Sequence, residues 1–169
     1  MGQIALEFDG AANDFRFLST PLHADVTKLI AYWHLKRGQR SMPERTDIIP
    51  REIITLLPYI VIYDVLDDGT DFRVRVFGTA LVELVGEERT GKRVSEFGDN
   101  CNPPTNAEIV RRRWMDSLSA SYASGNPECV TGLMSSSHRS YIAWHGVSCP
   151  MGIEGQKPTQ MLGLMVPEL

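Results

Sequence analysis

The residues equipped for chemistry lie mainly in segments that read as loops. Ser135, Ser136, Ser137 and His138 place three hydroxyls beside an imidazole, the atoms of nucleophilic catalysis. No GxSxG elbow or helix start follows to expose and activate a serine, so the run is read as a turn. Glu87-Glu88 and Asp67-Asp68 are adjacent carboxylates whose side chains diverge. They lack the facing geometry that tunes one acid against another, and solvated loops are expected. His23 and His34 stand on roughly one face of a helix but three turns apart, too far to share a metal. His145 and Cys149 share a strand face at a distance of about 13 Å, so they predict no local metal site either. Cys101, Cys129 and Cys149 are an odd number without a CxxC pair; neither a disulfide framework nor zinc is expected, and a reducing cytoplasm is the simplest home.

The charged residues are more suggestive. Arg111-Arg112-Arg113 falls near the start of a helix, where it opposes the helix dipole. Consecutive helix positions point about 100° apart, so one arginine is expected to snorkel and two to stay exposed, with an anionic partner surface left open. Arg73 and Arg75 share a sheet face and are expected to pair with Asp47, Asp64 or Asp71, fixing the connector that contains Asp47. Overall, 21 acidic against 17 basic residues leave a net charge of −4, so there is no general field for a phosphate backbone, and no nucleic-acid partner is expected. The densest apolar run, Ile53 to Leu66, is interrupted by Thr55, Pro58 and Asp64 and falls short of the roughly 20 residues of a membrane helix. No membrane insertion is expected. The opening MGQIALEFDG lacks a basic n-region, and Leu6 breaks the myristoylation pattern, so neither a signal peptide nor a lipid anchor is expected.

The elements that must position these residues follow from periodicity. Leu22, Val26, Leu29, Ile30 and Trp33 recur every three or four positions up to the stop at Gly38, predicting an amphipathic helix over Leu22–Arg37. Pro43 and Pro50 frame a connector that runs extended before Pro50 opens a short helix. Tyr59–Leu66 and Asp71–Phe77 flank Asp67-Asp68-Gly69-Thr70 and predict a β-hairpin. The first strand is apolar on both faces, so both must be covered, and the Leu22–Arg37 helix is the natural cover for the outer side. Ala80, Leu81, Leu84 and Val85 predict a short helix ending at Gly86. Thr105 or Asn106 caps a longer helix to about Ala123, with Val110, Trp114, Leu118 and Tyr122 on one face. Glu128–Met134, Arg139–Cys149 and Pro158–Val166 then predict an antiparallel meander. Residues 1–20 form a weakly determined arm, in which Phe15, Phe17 and Leu18 could form a short strand or pack onto the body, and 21–169 a single domain. The order predicts an α+β fold with one five-stranded antiparallel sheet.

The chain resembles the stand-alone bacterial PAS-domain family. The resemblance is carried by Tyr32-Trp33, Arg37-Gly38, the Pro43, Arg45, Asp47-Ile48 and Pro50 connector, Leu56-Leu57-Pro58 and Asp64-Val65. It continues through Phe72-Arg73-Val74-Arg75, Gly78-Thr79 and Thr90-Gly91-Lys92. It implies a sheet that cups any ligand against short central helices, dimerisation through the N-terminal helix and outer sheet face, and signalling without turnover. It does not name the signal or a cofactor. Gly98-Asp99-Asn100-Cys101 is similar to the GxNC core of flavin-binding blue-light members. However, Asn102-Pro103-Pro104 follows instead of an Arg-Phe-Leu-Gln run, and the Gly91-Lys92 anchor puts Cys101 about seven residues too late, so a loop cysteine is expected. The axial histidine that haem-binding members place on the long helix is absent from residues 106–123.

The expected function is a cytoplasmic sensory and regulatory module, not an enzyme, that binds a small ligand or a protein partner and acts through dimer or partner contacts. Phe77, Leu81, Trp114, Met134, Tyr141 and Met161 are the candidate ligand pocket, and the same residues could simply be core. Leu22, Val26, Leu29 and Trp33 are the candidate homodimer or partner surface. The alternative is a pure interaction module with a sealed core.

Overall fold

The computed structural model describes residues 14–102, 104–135 and 142–168. Six strands form one antiparallel sheet: β1 (Arg16–Leu18), β2 (Ile60–Leu66), β3 (Asp71–Phe77), β4 (Glu128–Leu133), β5 (Ala143–Met151) and β6 (Gln160–Pro167). Their spatial order is β1-β4-β5-β6-β2-β3. The hairpin and the meander are as the sequence predicts. The sixth strand comes from the arm: Arg16, Phe17 and Leu18 pair with Thr131, Val130 and Cys129 and add an edge to the five expected strands. Phe17 and Leu18 leave a short strand open in the sequence, but where it pairs depends on distant partners, so its place at the edge beside β4 could not be read from it.

Three α-helices flank the sheet: α1 (Ala24–Arg37), α2 (Thr79–Val85) and α3 (Ala107–Ser124). At the start of α1, His23 Nδ1 accepts the Asp25 N–H at 3.1 Å, which leaves Leu22 outside the helix. The apolar face of α1 covers the outer side of the sheet. Val26, Leu29 and Trp33 pack there with Ile60, Ile62, Val147, Cys149 and Leu162, and Trp33 Nε1 donates to the Pro150 carbonyl at 2.8 Å. This corrects the assignment of Val26, Leu29 and Trp33 to an intermolecular surface: their own sheet buries them, and of the four only Leu22, 66% exposed, is at the surface.

The connector wraps the same face in single turns at Arg45–Asp47, Pro50–Ile53 and Leu57–Tyr59. Its fixing ion pairs are Arg40 with Asp47 at 2.9 Å and Lys36 with Glu52 at 2.8 Å. Arg75 pairs with Asp64, one of the expected partners, at 2.6 Å, but it does so across the hairpin, where neighbouring strands bring the two side chains together, and does not fix the connector. The Asp47 carboxyl sits below the usual range chiefly because it accepts the Glu44 N–H.

The inner face carries a second core, in which Tyr63, Phe72, Val74 and Met161 meet Leu81, Phe97, Val110 and Leu118 from the helical layer. Asn106 caps α3 by accepting the Ile109 N–H at 3.2 Å, and Gly125 ends it in the left-handed region. This places one face of α3 along β4 and β5.

Candidate ligand site

Alternation along β5 builds the floor of a cavity. Trp144, Gly146 and Ser148 face inward, whereas Val147 and Cys149 join the outer core. A side chain at Gly146 would press on the Trp144 ring and Val130, so glycine keeps that floor low. Opposite, α3 contributes Val110, Arg113, Trp114 and Ser117, while Tyr63, Met134 and Met165 form further wall. The enclosed space is about 60 Å³, enough for a few small atoms' worth of ligand or several waters. Its walls are mostly apolar. Polar groups converge at defined points: the Ser117 and Ser148 hydroxyls lie 3.3 Å apart, and the Thr105 and Ser135 hydroxyls bond to each other beside the cavity.

The dominant polar feature is a buried ion pair in the loop after α2. Glu87 is 4% exposed and Arg89 1%, and Arg89 Nε donates to Glu87 Oε1 at 2.8 Å. The other carboxylate contacts are the Gly98 N–H at 2.9 Å, the Asn100 N–H at 3.2 Å and Lys92 Nζ at 3.4 Å. Burial by itself would push the Glu87 carboxyl up; the Gly98 N–H, Arg89 and the Asn100 N–H outweigh it and hold the pKa down to about 2. The Arg89 guanidinium lies over the Phe97 ring at 4.4 Å and faces Trp114 at 5.3 Å. It also forms part of the cavity lining. Its Nη1 is buried and has no hydrogen-bond partner among the described residues.

Gly86 makes this arrangement possible. It ends α2 with φ +74°, and a Cβ there would lie 2.3 Å from the Asn102 carbonyl oxygen, while its own carbonyl accepts the Asn102 N–H at 2.7 Å. That close approach brings residues 98–102 onto Glu87. Gly86→Ala is therefore expected to cost about 1–3 kcal/mol from backbone strain, measured as a lower melting temperature; an unchanged melt would sink this account of the loop.

Of the residues expected to line a pocket, Trp114 and Met134 do so. Phe77, Leu81 and Met161 lie behind the wall in the inner core. Tyr141 falls outside the described residues, as do Ser136, Ser137 and His138. The expectation of a solvated Glu87-Glu88 loop is corrected at Glu87, which is buried and takes N–H donors from Arg89, Gly98, Asn100 and Lys92, while Glu88 is exposed and accepts from Thr90. Of the arginine triplet, Arg113 is buried, donates to the Leu133 carbonyl and lines the cavity. Arg111 and Arg112 turn outward to Asp99 and Glu108. Arg113 was findable, since it shares the helical face of Val110, Ser117 and Leu118. Cys101 Sγ lies 3.8 Å from both Arg89 Nη2 and Glu87 Oε1 and is not part of the cavity wall, so its thiol is not presented to a molecule held there. Tyr63 lines the cavity, and burial raises its phenol pKa far above the ordinary value. No group of three or more metal-ligating side chains occurs among the described residues. His23 and His145, not the pairs nearer in sequence, stack at 5.6 Å.

A family model described as "PAS domain" matches residues 21–128. The chain belongs to the PAS domain family. This PAS domain matches no curated protein sequence. Solved structures similar to it include an RNA-binding Light-Oxygen-Voltage receptor, at 15% identity and a TM-score of 0.46 over 72% of this chain, which spans 33% of the receptor. Another is the light state of the blue-light photoreceptor Aureochrome1 LOV, at 13% identity and a TM-score of 0.42 over 72% of this chain and 90% of the other. No described helix is long and apolar enough to cross a membrane.

Proposed function

We propose that this PAS domain is a sensory module of bacterial signal transduction. It holds a small molecule between α3 and the sheet, performs no turnover, and passes the signal on through contacts with a second copy or a protein partner in the cytoplasm. The observation that carries this reading is the cavity itself: a largely apolar space between α3 and the inner face of the sheet into which several polar groups converge, the usual form of a small-molecule site. The polar groups supply orientation and the tryptophan walls supply binding area. A ligand can alter the output only by binding one arrangement of the fold better than another.

The test is native mass spectrometry with a visible absorption spectrum of freshly purified protein, repeated on Ser117→Leu. That substitution fills the cavity from α3 without touching the ion pair. The expected result is an extra non-covalent mass in the wild type that is lost in the variant while its melting transition remains cooperative. A ligand-free wild type whose melting no small-molecule collection shifts would overturn the reading in favour of an interaction module with a sealed core, which the small volume of the cavity favours.

A further inference from the structure

The charges that meet at the cavity are unbalanced in one direction. Two guanidinium groups, Arg89 and Arg113, belong to its lining, and no carboxylate does among the described residues. Behind the wall, Glu87 contributes one negative charge to two cations, Arg89 at 2.8 Å and Lys92 at 3.4 Å; −1 + 2 leaves one positive charge. Arg113 has the Asp14 carboxylate in its field. The surplus positive charge therefore lies on the Glu87 cluster.

The guanidinium of Arg89 also has a direction. Its Nε edge is taken by Glu87 and its Nη2 approaches Cys101, which leaves Nη1 as the buried donor without an acceptor among the described residues. A buried charged donor left unmade is costly, and native structures almost always satisfy it. Among the described residues nothing supplies that acceptor, and a bound anion would.

We infer that the molecule this cavity takes is a small monocarboxylate, with its anionic group at Arg89 Nη1 and its short apolar body against Trp114 and Trp144. The inference rests on the sensory reading above and names the ligand class for the same cavity. One negative charge cancels the surplus of the cluster, whereas a phosphate dianion would overshoot it inside an apolar enclosure. The lining hydroxyls of Ser117 and Ser148 and the protonated phenol of Tyr63 are further donors for the second carboxylate oxygen. The volume of about 60 Å³ restricts the body to a few carbons.

The experiment is calorimetric titration of the full chain in low-salt buffer with propionate, butyrate, valerate and hexanoate. The corresponding primary amides and inorganic phosphate are run alongside. The expected result is that the best acid binds about tenfold or more tightly than its amide, the ratio a hydrogen bond to a charged group supplies. Arg89→Gln should bring acid and amide to parity. Because that change strips Glu87 of its partner, the combined Glu87→Gln and Arg89→Gln variant, a neutral amide pair of similar shape, repeats the comparison, with the same parity expected. Amides binding as tightly as acids, or phosphate binding more tightly than every acid, would overturn the inference and leave the sensory reading standing. Binding by neither series would also overturn the inference, while the sensory reading stands or falls on the mass-spectrometric and melting test above.

Discussion

Glu87→Ala is expected to lower the melting temperature by about 10 °C, because removing one partner of a buried ion pair costs about 3–5 kcal/mol and a domain of this size loses about 2–4 °C per kcal/mol. The alanine leaves Arg89 as an uncompensated charge at 1% exposure and deprives the Gly98 and Asn100 N–H groups of their acceptor. The combined neutralisation, Glu87→Gln with Arg89→Gln, is expected to cost much less, since the penalty lies in the stranded charge and not in the absence of the pair. The same residue fixes an acid limb of stability. Its pKa falls from 4.5 to about 2 on folding, so its contribution is fully present above pH 4.5 and is lost as pH drops from there toward 2. Melting temperatures measured across that window should fall more steeply for the wild type than for Glu87→Gln. Parallel curves, or an alanine variant that melts with the wild type, would show that the pair does not hold the loop.

The difference between what was legible in the sequence and what was not follows from the range of the interactions. The helices α1 and α3 are written in local signals: three- and four-residue spacing, His23 and Asn106 at the starts, Gly38 and Gly125 beyond the ends. The hairpin is equally local, with Asp67, Asp68 and Gly69 all in the left-handed region where Asp and Gly are tolerated. Trp114 and Met134 could be placed on the cavity because each follows from the face of a predicted element. Glu87 and Arg89 could not. Their burial depends on Gly98, Asn100, Phe97 and Trp114, which are 8 to 25 positions from the residue they contact, and an isolated Glu-Glu-Arg in a loop looks the same whether solvated or enclosed. The partner of the three-residue β1 was illegible for the same reason, since its pairing with β4 spans most of the chain.

Trp33→Ala is expected to cost about 3–5 kcal/mol, the range for emptying a large aromatic site in a packed core. Trp33 is 0% exposed and joins α1 to β5 in two ways, by filling the outer core and by its 2.8 Å hydrogen bond to the Pro150 carbonyl. Trp33→Phe separates them: the ring still fills most of the space, and the remaining loss, about 1–3 kcal/mol, reflects the carbonyl left without its donor and the small void. Chemical denaturation of the three proteins gives the ordering, and an alanine variant as stable as the phenylalanine variant would remove packing by Trp33 as the anchor of α1. The position matters beyond stability because β5 serves both layers at once. Trp144, Gly146 and Ser148 face the cavity, Cys149 faces α1, and Pro150 receives Trp33. A change in the cavity that shifts β5 is thereby delivered to α1 over a few residues of one strand. Amide exchange in α1 should accordingly slow when a carboxylate occupies the cavity of the wild type and stay unchanged on the same addition to Trp33→Ala. Equal protection in both would mean that β5 carries no coupling between the two faces.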